Sequence, residues 1–423
     1  MLGGIVVVGL VLFSALVLIF RNPALRGPIL AAAAARFSLL FIHHFVFKLL
    51  PGRGDAHRFY GYAVEYSDRG FWGALSTFDA STAYGYSSLL GAVFSLTGHA
   101  WVIAESLNIL LSILLVVLTA RLAGYCGADR KNAVLAAYIV ALNPFTAQYG
   151  VVVLREMVVV LPFMLGVVAF VSRGQPQNVV RIALCGCGIA VASLFHGSMI
   201  VALVGIGLGL YLAHSGVGAR EKVRGRQRAQ QGAVMLLTVV GIAVAAPFVI
   251  ETDISKIGKL EEGDFIAQIN DQVEGAARGG SAYLKGYQAS GPVDLILTAP
   301  LRVIYFLYSP LPWDVRSPGH VIGFFDAIVY FWVTYFFWRA YRARVFNQKA
   351  LAVTGILMVS ILAFSFGTSN AGTAIRHRAK FNYALVAVAC AMRFRLEEQR
   401  QTKRRMLAEN RPSFRAYLAE PRA

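Results

Sequence analysis

Four short segments gather the residues that can do chemistry. The first is Gly54-Asp55-Ala56-His57-Arg58-Phe59-Tyr60-Gly61-Tyr62-Ala63-Val64-Glu65-Tyr66-Ser67-Asp68-Arg69-Gly70. As a helix it places Asp55, Arg58, Tyr62, Glu65 and Arg69 on one face, at spacings of three and four, with Gly70 ending it. A carboxylate at the start of such a helix, just above a membrane, can take a proton from an acceptor hydroxyl. The same spacing also suits an amphipathic surface helix held by internal ion pairs. The second segment is Leu142-Asn143-Pro144-Phe145-Thr146-Ala147-Gln148-Tyr149, followed by Arg155-Glu156. Pro144 breaks or kinks a helix there. Arg155 can grip a phosphate or pyrophosphate by bidentate contacts, or form a structural ion pair at a helix end.

The third segment is Tyr308-Ser309-Pro310-Leu311-Pro312-Trp313-Asp314-Val315-Arg316. Its prolines fix the backbone and Trp313 suits a membrane interface. Asp314 and Arg316 can reach a sugar or phosphate, or the whole segment can serve as a rigid interfacial turn. The fourth runs from Gly367 through Arg376-His377-Arg378-Ala379-Lys380. Such a basic cluster suits the charge on a lipid-linked pyrophosphate leaving group, or on lipid headgroups. His196 can join this group, whereas His43 and His44 fit buried, hydrogen-bonded positions.

The elements that carry these segments follow from composition. The chain has 423 residues, 57% hydrophobic and only 15% charged, against about 25% charged in an ordinary soluble domain. The apolar residues come in long blocks, several of which reach the roughly 17–25 residues that cross a bilayer as a helix. The composition indicates an all-α, polytopic transmembrane bundle and excludes a water-soluble enzyme and a disordered chain. Eleven spans are expected, at 3–20, 29–50, 101–120, 132–147, 156–172, 180–195, 198–213, 233–250, 321–338, 350–366 and 381–392. They make residues 1–392 an integral membrane domain, with outside loops at 51–100 and 251–320, and 393–423 a basic cytoplasmic tail. The run from Asp294 to Tyr308 fits an interfacial or re-entrant helix. Residues 3–20 lack a basic n-region and a small-residue cleavage site, so they read as a retained helix.

The net charge of +18 follows the positive-inside pattern, so no nucleic acid partner is expected. With the N-terminus outside and the C-terminus cytoplasmic, the cytoplasmic side collects clusters at 220–228, at Arg339, Arg342, Arg344 and Lys349, and at Arg393, Arg395, Arg400, Lys403, Arg404 and Arg405. The basic cluster at 376–380 falls on the opposite side, against the topological bias. Arg36 lies inside the second span and must snorkel or pair. Cys126, Cys185, Cys187 and Cys390 form no zinc or disulfide pattern, and no Walker motif is present.

Together these segments resemble the GT-C superfamily of polytopic glycosyltransferases and the related exopolysaccharide and O-antigen polymerase-like membrane proteins. The likeness rests on Gly54-Asp55-Ala56 with Tyr60, Tyr62 and Ala63, on the stretches Tyr84–Leu90 and Leu96-Thr97-Gly98, on Leu142-Asn143-Pro144 with Arg155-Glu156, and on Ser309–Asp314 and Gly367–Arg378. It spans residues 30–390. The resemblance implies a GT-C-like bundle with extracytoplasmic juxtamembrane helices in a bacterial plasma membrane. It implies a polyprenyl-phosphate or polyprenyl-pyrophosphate sugar donor, a glycan or lipid acceptor, and work alongside membrane lipids and other polysaccharide-assembly proteins.

On that likeness Asp55, Glu65 and Arg376 are the catalytic candidates, with Asp55 the general base. Arg58, Tyr62, Arg155, Glu156, Asp314, Arg316, His377, Arg378 and Lys380 are the substrate-binding candidates. No metal ligand is assigned, and the likeness leaves a divalent metal open. The alternatives are a transporter or flippase of lipid-linked glycans and a non-catalytic scaffold of an assembly complex. A transferase requires Asp55, Arg155, Asp314 and Arg376 to converge on a single extracytoplasmic cavity reachable by a prenyl phosphate tail.

Overall fold

The structure is a computed structural model that describes residues 2–46, 53–172, 174, 176, 178–215, 270, 282–283, 289–315 and 318–409. Arg316, the expected span 233–250, the basic cluster at 220–228 and most of the loop 251–295 lie outside the described residues. In chain order the helices are α1 (Leu2–Arg21), α2 (Arg26–Phe41), α3 (Arg53–Ser67), α4 (Gly70–Ser76), α5 (Gly85–Thr97), α6 (Trp101–Tyr125), α7 (Arg130–Leu142) and α8 (Pro144–Tyr149). They continue with α9 (Glu156–Val171), α10 (Val179–Phe195), α11 (Ala202–Ser215), α12 (Pro292–Tyr308), α13 (Pro318–Ala343), α14 (Gln348–Phe366) and α15 (Ala371–Glu409). No strand occurs among the described residues, where a single bridge pairs Ala282 with Asn370.

Among the described residues, six helical segments are long and apolar enough to cross a membrane: Leu2–Arg21, Pro23–Val46, Trp101–Tyr125, Gly197–Ser215, Gly319–Ala343 and Gln348–Phe366. They coincide with six of the expected stretches. The stretches 156–172 and 180–195 are also apolar helices, but of only 16 and 17 residues. The last expected stretch, 381–392, is the buried middle of the 39-residue α15. That helix packs on α6, α7, α13 and α14 and runs without a break through position 392.

The expected span 132–147 is interrupted at Pro144, where the sequence places a break or kink, and the cause is local chemistry. Pro144 has no N–H, so the Val140 carbonyl loses its usual helical donor. The Thr146 hydroxyl donates to that carbonyl instead, at 2.6 Å. Asn143 turns extended, and its Oδ1 accepts from the Phe145 and Thr146 N–H groups at 3.1 and 2.9 Å, capping α8. The Ala141 carbonyl is thereby released, and the Arg36 Nη1 donates to it at 2.9 Å. Arg36 also bonds Ser112 through Nε. The arginine that looked misplaced in the second span therefore pairs, and what it pairs with is the backbone freed by a proline on another helix.

The chain then runs Val151-Val152-Val153-Leu154 as a buried, non-helical turn. Its carbonyls need donors away from water. Asn108 on α6 donates to the Val152 carbonyl at 2.6 Å, and the Tyr86 hydroxyl donates to Asn108 at 3.0 Å. This turn delivers Arg155 and Glu156 to the start of α9.

Small residues let α11 and α14 approach closely. A Cβ on Gly355 of α14 would lie 2.3 Å from the Gly209 nitrogen of α11, and one on Gly209 would lie 2.2 Å from the Ala352 carbonyl oxygen. Such contacts let helix backbones approach. Gly355→Leu is expected to separate α11 from α14 and destabilise the protein by about 1–3 kcal/mol, the usual cost of overpacking. Thermal melting of the purified protein in detergent checks this; an unchanged melting temperature would contradict the close approach.

The bundle has two distinct ends. At one, the Asn347 side chain donates to the Cys126 carbonyl at 2.8 Å and Arg393 donates to Asn132 at 3.1 Å. Asp129 caps α7 there by accepting from the Asn132 N–H at 2.9 Å. Slight burial works against its charge, yet the hydrogen bonds from Asn132 and the nearby Lys131 hold its carboxyl below the usual range. The opposite end carries the starts of α3, α9 and α15 and the end of α10.

Candidate functional site

Asp55 sits in the first turn of α3. This helix forms where expected and buries Ala56, Phe59 and Ala63. It is held down by the Ser87 hydroxyl, which donates to the Phe59 carbonyl at 2.8 Å, and by Tyr60 stacked on Trp101 at 4.2 Å. Asp55 therefore stands on a fixed platform rather than on a loose loop. Glu156 opens α9, where the helix dipole favours a carboxylate. Arg376, His377 and Lys380 lie in the first turns of α15, whose start is capped by Asn370 accepting from the Gly372 N–H at 2.9 Å.

These elements meet in one cluster. Arg376 donates from Nη1 to Asp55 Oδ2 at 2.8 Å and from Nε to Glu156 Oε1 at 2.5 Å. Lys380 Nζ lies 3.7 Å from the same Glu156 oxygen and 3.0 Å from His377 Nδ1. The His377 and His196 rings are 5.4 Å apart, and both approach Phe364. Arg155 is tethered beside them, its Nη1 donating to the Phe195 carbonyl at 2.7 Å. Exposure falls steeply across the cluster: the side chain of Asp55 is 51% exposed, that of Arg376 24%, that of Glu156 2% and that of Lys380 0%. A half-exposed carboxylate thus stands at the rim over the partly buried Arg376, with the buried Arg155 and Lys380 behind it. Arg155, Arg376 and Lys380 outnumber Asp55 and Glu156 by one charge before either imidazole protonates.

Other candidates are placed elsewhere. Glu65 is exposed on α3 and lies 3.7 Å from Arg69, in an i,i+4 surface pair. It does not enter the cluster. Arg58 is exposed on the same helix, and the Tyr62 ring packs on Tyr84 and Tyr66 at 4.2 and 5.9 Å. Asp314 lies in a one-turn 3-10 helix, Pro312–Asp314, and among the described contacts none joins it to Asp55, Glu156 or Arg376, so of the four residues expected to converge Asp55, Arg155 and Arg376 come together and Asp314 does not.

Arg378 stands apart from the cluster. It lies two residues from Arg376 on a helix, so the two side chains leave on different sides. Arg378 is fully buried, paired with Asp326 at 2.7 Å through Nη2 and at 3.1 Å through Nε. Its Nη1 donates to the Leu307 and Ser309 carbonyls at 2.9 and 2.5 Å. These carbonyls stand at the end of α12, where backbone acceptors lack helical donors. Tyr330 covers the guanidinium at 4.8 Å. Nε, Nη1 and Nη2 of Arg378 are thus all engaged within the fold.

His44 is hydrogen-bonded as expected but half-buried, and its partner is an acid outside the candidate residues. Glu105 on α6, almost fully buried, lies 2.8 Å from His44 Nε2. A single acidic residue within an apolar helix is the signal that marks it. Among the described residues, no group of three or more His, Cys, Asp or Glu side chains gathers as a metal site would require, and the four cysteines are free.

The fold and the cluster define a helical chain with several helices fit to cross a membrane and a concentration of charge at one end of the bundle. No protein-family model, curated protein or solved structure matches the chain.

Proposed function

We propose that the protein is a GT-C-like membrane glycosyltransferase or polysaccharide polymerase. It takes sugar from a polyprenyl-phosphate or polyprenyl-pyrophosphate donor and transfers it to a glycan or lipid acceptor in cell-surface glycan assembly. The observation that carries this reading is the meeting of Asp55, Glu156 and Arg376, separated by 220 and 321 positions along the chain for the two pairs that Arg376 makes. Transfer of this kind needs a base for the acceptor hydroxyl and cations for the departing phosphate. Asp55 at the rim supplies the first; Arg376, with Lys380 and Arg155 behind it, supplies the second. An ionised carboxylate has about four lone-pair sites, so the bond to Arg376 leaves Asp55 able to accept a proton. Glu156 fixes the Arg376 guanidinium from beneath.

In this reading the Asp55 end faces outward in a bacterial plasma membrane, eleven spans place the N-terminus outside, and the basic Asn347 end faces the cytoplasm. The buried Arg36 and Arg378 have protein acceptors, so they act as structural groups, not as stations on a transport path. Intact glycolipid analysis of cells with and without the protein tests the proposal. Single lipid-linked repeat units accumulate in its absence if it polymerises, and one sugar is lost from the glycan if it adds a monosaccharide. Identical glycolipids in both cells would overturn it.

A further inference from the structure

At the Asn347 end, two cavities flank α15. One, of about 580 Å³, is lined by Asp129, Glu397 and Glu398 together with Lys131, Arg393 and Arg405. Its charges balance. The other, of about 980 Å³, is lined by Arg344, Lys349, Arg395, Arg400 and Lys403 against the single carboxylate of Glu398. A general excess of basic residues on one membrane face would charge both sides of the helix alike. The asymmetry instead concentrates positive charge in one cleft.

The cleft is built rather than incidental. Arg395 Nε donates to the Val345 carbonyl and Gln399 to the Ala343 carbonyl, both at 3.4 Å, which clamps α15 to the turn between α13 and α14. That turn passes through Arg344 at φ +53°, a left-handed conformation uncommon for a side-chain-bearing residue. The Lys349 ammonium is held 5.8 Å from the Tyr125 ring centroid. Gln348 and Lys349 also begin the 19-residue α14, so the positive end of that helix faces the same space.

The level of the cleft identifies what fills it. On α13, just before the turn, Trp338 and Tyr341 are both more than half exposed, and the Arg342 guanidinium lies 5.6 Å from the Trp338 ring. Exposed Trp and Tyr beside Arg mark the depth of lipid headgroups. Met406, also exposed, gives the cleft an apolar edge. Basic clefts between helices at this depth suit headgroups with more than one phosphate. We propose that the cleft is a binding site for a membrane lipid whose headgroup carries two phosphates. The site stands on its own observations and does not depend on the transferase reading.

The test uses the full chain purified in detergent, with cardiolipin as the two-phosphate probe, phosphatidylcholine as the neutral lipid and inorganic pyrophosphate as the soluble two-phosphate compound. Native mass spectrometry and thermal melting read the binding. Cardiolipin is expected to be retained in preference to phosphatidylcholine and to raise the melting temperature. Each basic residue at an anionic headgroup contributes a factor on the order of five. Combined Arg395→Gln, Arg400→Gln and Lys403→Gln should therefore weaken cardiolipin binding about 100-fold. Lys131→Gln with Arg405→Gln, which removes charge from the balanced cavity, should leave it unchanged.

On the unaltered protein, retention should fall as salt rises from about 0.05 to about 0.5 M, where screening shortens the reach of the charges; this readout stands even if the triple variant does not fold. Equal retention of cardiolipin and phosphatidylcholine, or equal weakening by both sets of substitutions, would overturn the site. Displacement of cardiolipin by an equimolar amount of pyrophosphate would overturn its assignment to a lipid and make the ligand a soluble diphosphate.

Discussion

Asp55→Asn is expected to slow sugar transfer by about 10²–10⁴-fold, the range for loss of a general base, with little change in stability. The amide keeps the size of the carboxylate and can still accept the hydrogen bond from Arg376 Nη1, which spans 2.8 Å. What it lacks is the ability to take a proton. The stability cost is small because the Asp55 side chain is 51% exposed, and solvent-exposed ion pairs contribute about 0.2–1 kcal/mol. The expected signature is thus a collapse in turnover, with donor binding and melting temperature preserved. Transfer measured with purified protein and a polyprenyl-linked sugar, alongside thermal melting, separates the two effects.

Glu65→Gln provides the comparison. Both acids lie on α3, yet among the described residues Glu65 forms its ion pair with Arg69 on the surface, away from the cluster, so its substitution should leave turnover unchanged. Wild-type turnover in Asp55→Asn would remove Asp55 as the base and, with it, the reason for assigning transfer to this end of the bundle.

The comparison also shows how far sequence reasoning reaches. Helical periodicity placed Asp55 and Glu65 on one face of one helix, and that helix is present. Ten residues along a helix is about 15 Å, however, and periodicity does not say which end of the face meets a partner. That choice is made by Arg376, 321 positions away, through packing that no local pattern encodes. The same holds for Arg376 and Arg378. Both sit in one basic segment, and only the tertiary arrangement turns one toward Asp55 and Glu156 and the other into the core against Asp326. Apolar block length, by contrast, reads as membrane-length helices at six of the eleven expected stretches, and Pro144 marks a break. Its consequence, a buried Arg36 on another helix serving the released carbonyl, depended on a contact 105 residues distant and could be anticipated only as a residue in need of a partner.

Arg378→Met should be the most damaging single substitution to the fold, costing about 3–5 kcal/mol, because it strands the buried carboxylate of Asp326. Asp326 would keep one donor, the Asn143 side chain at 2.7 Å, which cannot neutralise its charge. Since native domains are stable by only about 5–15 kcal/mol, a loss of this size should appear as poor recovery of monodisperse protein and a sharply lowered melting temperature. Pairing Arg378→Met with Asp326→Leu removes both charges together, and much of the lost stability should return. Recovery should stop short of wild type, because the Leu307 and Ser309 carbonyls at the end of α12 lose their donor as well. The double variant also separates a structural role from a substrate-binding one. If Arg378 serves only the fold, the double variant that folds should transfer sugar at close to the wild-type rate. If it folds and transfers nothing, Arg378 reaches the substrate after all, and its burial against Asp326 is a resting arrangement that the donor must open.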